Sequence, residues 1–389
     1  MNRKYKWWLI LLFVAGIVLI SLNVAILITG NTYVYKALVF NYVNIDDLDL
    51  FHTRAIDNSK GKGEPWQISA NYNKGRITDT VRAELEKLES VAYLVIKDDS
   101  IRYEEYWDHY SEKSLSNSFS MAKSVIGLLI GIAHDEGKIK SLDEPIGNYL
   151  EDYKEGLAAQ TTIRDVLMMS SGSNWDESYS SLFSITTKGY YGSNLEKLLH
   201  NEVKINEVPG RIWNYKSGDT QMLAFILEKA TGMHVADYAS EKLWIPIGAE
   251  LPAQWSLDSK DGHEKAFCCI YSNARDFARI GKLMLDSGNW KGRQLISKDF
   301  VRQAISANNL VYDDDTTSRV TSYGYQWWLM NYKDHPIFYM RGLLGQYVFV
   351  IPDQRMIVVR LGKQREKIQV NRIPLEVNYI LEGALSVCN

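Results

Sequence analysis

The longest apolar run comes first. Positions from Trp7 to Thr29 carry no charge, and Arg3, Lys4 and Lys6 precede them. At about 1.5 Å per residue this run makes a helix about 34 Å long, enough to cross a hydrocarbon layer of about 30 Å. The apolar part of a cleaved signal peptide is usually only about 7–15 residues long and ends in small residues. Here the run closes as Ala25-Ile-Leu-Ile-Thr-Gly-Asn, a poor cleavage site. The pattern predicts an uncleaved, single-pass anchor over residues 1–30. Basic residues ahead of the run place the N-terminus in the cytoplasm. The rest of the chain is then periplasmic or extracellular, held on a bacterial inner membrane. Residues 31–65 mix polar, aromatic and glycine positions and read as a linker.

Beyond the linker the period alternates between helix and strand. Ile77 to Leu88 is amphipathic at helical spacing. Val91–Lys97 and Ile101–Trp107 are β-rich runs joined by Asp98-Asp99-Ser100, which predicts a hairpin. A helix starts at Ser120 and stops near Glu136, before Gly137. Residues 138–270 read as mostly helical, including Asp219–Thr231 before Gly232 and Ala236–Trp244. Ser272 or Asn273 caps another helix. Four strand-like runs follow, at Gly324–Met330, Ile337–Met340, Gln346–Ile351 and Met356–Leu361, with a closing helix from Pro374 to Val387. Strands at both ends with helices between predict an α/β (α+β) fold. Its antiparallel sheet is built from both chain ends and flanked by helices. The domain spans 66–389, with a mostly helical subdomain inserted at about 138–270, and a cleft between sheet and helical parts is the expected site of chemistry.

Composition adds exclusions. The chain is 46% hydrophobic and 23% charged, as suits a large core. The net charge is −3, and without the basic start the balance is more acidic, with no basic stripe to suit nucleic acid. The cysteines are Cys268, Cys269 and Cys388; adjacent cysteines bridge with difficulty, so this pair is expected as separate small buried residues. The histidines show no ligand spacing, so no metal is indicated, and no glycine-rich phosphate loop is present. No cofactor is expected.

The chemistry concentrates in Ser120-Met-Ala-Lys123, at the head of an apolar stretch. Residues three apart on a helix share a face at about 5–6 Å between Cβ atoms. A lysine amine there can reach a serine hydroxyl, which needs a nearby base to become nucleophilic. The helix N-terminus favours developing negative charge. A helix-capping serine followed by a surface lysine would leave the same pattern. The second copy, Ser59 and Lys62, has no helical period and reads as an exposed loop. His134 and Asp135 lie about 21 Å along the helix from Ser120, too far to serve it. Trp175-Asp176-Glu177 reads either as pocket lining or as a solvated acidic turn, and Trp327-Trp328 as packing.

In order along residues 65–385, several stretches resemble the serine β-lactamase-like hydrolases, the family of class C β-lactamases, D,D-peptidases and related esterases. They are Asn117-Ser-Phe-Ser-Met-Ala-Lys-Ser-Val, Asp143-Glu-Pro-Ile-Gly-Asn-Tyr-Leu, Thr162-Ile-Arg-Asp-Val-Leu-Met-Met-Ser-Ser-Gly, Val208-Pro-Gly-Arg-Ile-Trp-Asn-Tyr-Lys-Ser-Gly-Asp, Tyr271-Ser-Asn-Ala-Arg-Asp-Phe-Ala-Arg and Gly345-Gln-Tyr-Val-Phe-Val-Ile-Pro. Tyr-x-Ser and Gly-Gln-Tyr place the nearest likeness in the 6-aminohexanoate-dimer hydrolase branch. The resemblance implies the β-lactamase/transpeptidase-like fold and an acyl-enzyme on Ser120, with Lys123 and a tyrosine moving protons. Tyr42, Tyr179, Tyr215 and Tyr271 all match the tyrosine pattern; the Pro-Gly turn, Trp213 and the following helix favour Tyr215. Its pKa is expected to fall beside the lysine amine. The N–H groups of Ser120 and Leu343 would form the oxyanion hole. Ser217, Arg341 and Gly342 are candidate substrate contacts. The third motif departs from the family: Met340-Arg341-Gly342 stands where Lys-Thr-Gly or His-Thr-Gly is usual. A small amide or ester with no required carboxylate is therefore the expected substrate. A penicillin-interacting peptidase or β-lactamase using Arg341 as a clamp is the alternative, and a non-catalytic tethered binding protein a third.

Overall fold

The computed structural model describes residues 3–40, 42–370 and 372–388. The helices that concern the site are α1 (Arg3–Thr29), α2 (Tyr33–Val39), α3 (Asp79–Lys87), α4 (Met121–Asp135), α5 (Ser217–Thr231), α6 (Val235–Ala239), α7 (Ala274–Leu285) and α8 (Glu376–Ser386). The strands are β1 (Thr53–Ile56), β2 (Gln67–Ile68), β3 (Ser90–Lys97), β4 (Ser100–Tyr106), β5 (Ser116–Asn117), β6 (Ala253–Ser256), β7 (Ile270–Ser272), β8 (Trp328–Tyr332), β9 (His335–Gly342), β10 (Gln346–Ile351) and β11 (Met356–Gly362).

The main sheet has the order β8-β9-β10-β11-β3-β4-β2. It is antiparallel except where β2 runs parallel to β4. The pairing of β11 with β3 joins the two chain ends, as the pattern predicts. Both faces are covered. Ala92, Leu94, Met340 and Val348 face the core shared with α4 and α7, while Tyr93, Val95, Tyr339 and Phe349 face α3 and α8. Alternation of side chains across the pleat sorts these residues to opposite faces.

Four expectations about the fold need correcting. Residues 31–65 are not a free linker: α2 packs on the domain, Ile45 and Ile56 are fully buried, and β1 pairs with β6. The apolar residues scattered through this stretch are its anchors, too widely spaced to show a period. The insertion is also less helical than expected, because β6 and the start of β7 fall within it, in a second sheet ordered β1-β6-β7-β5. Near the C-terminus, β8 begins at Trp328 instead of Gly324, since Gln326 takes a positive φ of 61° that interrupts extended backbone. Cys268 and Cys269 are buried as expected, but their sulfurs are bonded to each other; Cys269 adopts a φ of 74°.

Helix α1 is long and apolar enough to cross a membrane, with a mean hydropathy of 2.8 over its most apolar 18 residues. Apart from Ile26, its described apolar side chains are exposed.

Candidate active site

Strand β5 pairs with β7 and delivers the chain to α4 through a sharp bend. Phe119 takes a φ of 43°, and its N–H donates to Asn117 Oδ1 at 2.9 Å. The Ser118 N–H donates to the Ile270 carbonyl at 2.7 Å, and Ser118 Oγ accepts from the Ile270 N–H at 3.1 Å. This strained turn fixes Ser120 at the N-terminus of α4. Its side chain makes no capping bond to the helix. The capping interpretation of the motif therefore does not describe it: Lys123 Nζ lies 3.0 Å from Ser120 Oγ.

Helix α4 is buried on every side from Met121 to Ala133, so Lys123 is enclosed at 1% exposure. Its amine also donates to the Phe267 carbonyl at 2.8 Å. Burial disfavours the ammonium form and lowers the pKa to about 8, with Glu177 partly opposing the fall.

Tyr215 reaches the same point from the turn before α5. Its ring centroid lies 5.0 Å from Lys123 Nζ and 5.4 Å from that of Trp328. Burial, and then the negative charge of Glu177, push the phenol pKa up, against opposing effects of Ser120, Arg341 and Arg365. The expected fall is thus reversed. A cation beside a phenol lowers its pKa, but enclosure in low dielectric acts more strongly here. The other tyrosines are elsewhere or otherwise engaged. Tyr271 is buried and accepts from Asn117 Nδ2 at 3.1 Å, and Tyr42 is exposed. Tyr179 lines the cleft mouth, where its hydroxyl donates to Glu177.

The cleft holds about 900 Å³ and is walled by Ser120, Tyr215, Trp328, Arg341, Gly342 and Leu343 among others. Gly342 ends β9 against the nucleophile loop: a Cβ there would sit 2.3 Å from the Ser118 carbonyl oxygen. Leu343, the first residue of the β9–β10 connection, lines the same cleft as Ser120. The connection is held from behind. The fully buried Arg360 donates to the carbonyls of Leu344 at 2.9 Å and Gly345 at 2.8 Å, and Gln346 Nε2 donates to the Leu343 carbonyl at 3.0 Å. Met340 points away into the core at 0% exposure, so no cation reaches the cleft from this position. Arg341 projects into the cleft with its guanidinium 5.0 Å from the Trp328 ring centroid, and makes no ion pair among the described residues.

Ser217 departs from expectation. It is buried, and both its hydroxyl and its N–H donate to the Glu177 carboxylate at 2.7 Å, so it is not a free substrate contact. Sequence reasoning left Glu177 undecided and missed Arg365 and Trp328 as cleft residues. Glu177 arrives through the loop 170–177, which is tied to α5: Ser171 Oγ donates to Asp219 Oδ1 at 2.6 Å, and Trp175 packs flat where Gly218 has no side chain. The only sequence signal was a tryptophan next to two acids.

A family model described as Beta-lactamase matches residues 77–374. The chain is 25% identical over 296 residues to a 6-aminohexanoate-dimer hydrolase from Paenarthrobacter ureafaciens, covering 72% of this chain and 74% of that protein. A solved structure from Bacillus anthracis, provisionally named a 6-aminohexanoate-dimer hydrolase, superposes with a TM-score of 0.69 at 19% identity, covering 88% of this chain and 91% of its own. A penicillin-binding protein homologue from Pyrococcus abyssi shares the fold, with a TM-score of 0.57 at 16% identity over 79% of this chain and 77% of its own. The chain belongs to the Beta-lactamase family and is a serine hydrolase of amide or ester bonds.

Proposed function

We propose that the chain hydrolyses a small amide or ester through an acyl-enzyme on Ser120, with the catalytic domain tethered outside a bacterial inner membrane by α1. The observation that carries this reading is the buried Lys123 amine 3.0 Å from the Ser120 hydroxyl. With its pKa lowered to about 8, a useful fraction of the amine is neutral near physiological pH and can take the serine proton as Oγ attacks the carbonyl. Tyr215, whose pKa is raised, is a protonated phenol and gives its proton to the departing amine or alcohol as it takes the one that Lys123 received from Ser120. The N–H groups of Ser120 and Leu343 receive the oxyanion; one such donor is typically worth about 10²–10³ in rate. Water then cleaves the acyl-enzyme by the reverse proton path. The name of the Paenarthrobacter ureafaciens relative supports an amide as substrate, and the long apolar run of α1 supports the tether.

One observation favours a second reading. Arg341 stands in the cleft without a carboxylate partner among the described residues, placed to clamp an anionic substrate as in a penicillin-interacting enzyme. The full chain in detergent decides between them. Neutral p-nitrophenyl esters and short linear amides are expected to turn over in wild type and Arg341→Met alike. A stable penicillin adduct lost in Arg341→Met would instead establish the clamp.

A further inference from the structure

Away from the cleft, a second cluster brings three parts of the chain together. Glu228 sits in the last turns of α5, which Gly232 ends with a φ of 70°. His234 precedes α6 without capping it, and Glu264 closes the loop that begins at Leu257. One ligand atom from each of Glu228, His234 and Glu264 lies within 4.8 Å of the others. His234 Nδ1 is 3.5 Å from Glu228 Oε1, close to the roughly 3.3 Å edge of a tetrahedron with bonds of about 2.0–2.1 Å.

Both carboxylates are held in the same way. Glu228 Oε2 accepts from His263 Nδ1 at 2.8 Å. Glu264 Oε1 accepts from Arg54 Nη1 at 2.5 Å and from the Ala236 N–H at 3.1 Å. The remaining oxygens, Glu228 Oε1 and Glu264 Oε2, are buried without a hydrogen-bond partner among the described residues. The Glu264 side chain is 0% exposed. A buried carboxylate oxygen without a partner is costly, and two that face each other repel. Among the described residues Arg54 is the one permanent cation in contact with the pair, and it sits on Glu264, while Glu228 is met only by histidines.

We propose that Glu228 Oε1, Glu264 Oε2 and His234 Nδ1 bind one divalent transition-metal ion, of which zinc is the best match. One imidazole and two carboxylates form a nitrogen–oxygen donor set that zinc accepts, with water in the fourth position. The half-exposed His234 opens on a separate cleft of about 410 Å³, also lined by Glu228 and His263, which supplies that water and the entry path. His263 and Arg54 act as outer partners that orient the carboxylates. The ion pins α5 to the segment 257–264, whose continuation carries the Phe267 carbonyl that receives Lys123. Its role is structural, and no step at Ser120 passes through it. The residues are distant in sequence, so no spacing motif announces the site.

The test uses the full chain in detergent, stripped with a chelator and titrated with zinc chloride against a fluorescent zinc indicator, with melting followed in parallel. One zinc per chain and a raised Tm are expected. His234→Ala and Glu228→Gln should each weaken zinc binding at least about tenfold and abolish the rise in Tm. Both should leave metal-free ester turnover unchanged. Should Glu228→Gln fail to fold, the exposed position of His234 keeps the test available. No retained zinc, or retention unchanged in His234→Ala, overturns the proposal and leaves protonated histidine as the partner of the two carboxylates.

Discussion

Lys123 shows most plainly how one residue's environment sets its chemistry. Its amine is charged in water but sits where charge is disfavoured, so its pKa falls to about 8. Ester turnover should therefore rise with pH through about 8 and level off above it, as the neutral base accumulates. The same shift acts on stability. The unfolded chain holds this proton up to the ordinary lysine value of 10.5, so between about 8 and 10.5 it binds more protons than the folded chain, and stability rises with pH across that window. At pH 7, where the cost of the buried ammonium is present, Lys123→Met should abolish turnover. It should also stabilise the fold by about 1–2 kcal/mol, net of the lost bond to Phe267, as read by denaturant titration. The Ser120–Lys123 pair was legible in sequence because its spacing is a local property of one helix. Glu177 was not, because only the tertiary fold brings it against Ser217 and Tyr215. The direction of the Tyr215 shift was misjudged because the neighbouring charge was visible in the motif and the burial was not.

The β9–β10 connection shows how two elements place a backbone N–H. Gly342 lets β9 approach Ser118, and Arg360 with Gln346 holds the turn from behind. Gly342→Ala would drive a Cβ into the Ser118 carbonyl oxygen and push Leu343 away from Ser120. Its kcat should fall about 10²–10³-fold with far-UV circular dichroism unchanged, the loss expected for one oxyanion donor. Unchanged kcat would show that Leu343 is not such a donor. The strands themselves were legible from apolar alternation. The buried guanidinium was not: Arg360 reads as one polar interruption in an apolar strand. Apart from the Ser90 hydroxyl, its partners are backbone carbonyls, which leave no trace in side-chain sequence.

At the scale of the molecule, joining the two chain ends in one sheet followed from the order of strands and helices. The built-in segment 31–65 did not, because its buried residues, including Ile45 and Ile56, contact parts of the fold far along the chain. Two truncations separate these contributions. A chain starting at residue 30 keeps α2 and β1 and should remain folded, soluble and active. A chain starting at residue 66 loses β1 and the side chains of Ile45 and Ile56, and should melt at a clearly lower temperature or aggregate. Equal melting of the two would contradict the packing described for this segment. Full-length chain should stay with membranes through alkaline carbonate washing, whereas the chain from residue 30 should not.

Trapping the acyl-enzyme on Ser120 tests the proposed chemistry at its key step. The full chain is mixed with p-nitrophenyl acetate, quenched in acid within the burst, and analysed by intact mass and peptide mapping. One acetyl group per chain is expected, on the peptide carrying Ser120, lost on standing at neutral pH and absent from Ser120→Ala. Acetylation elsewhere with Ser120 unmodified, or the same turnover in Ser120→Ala, would contradict it.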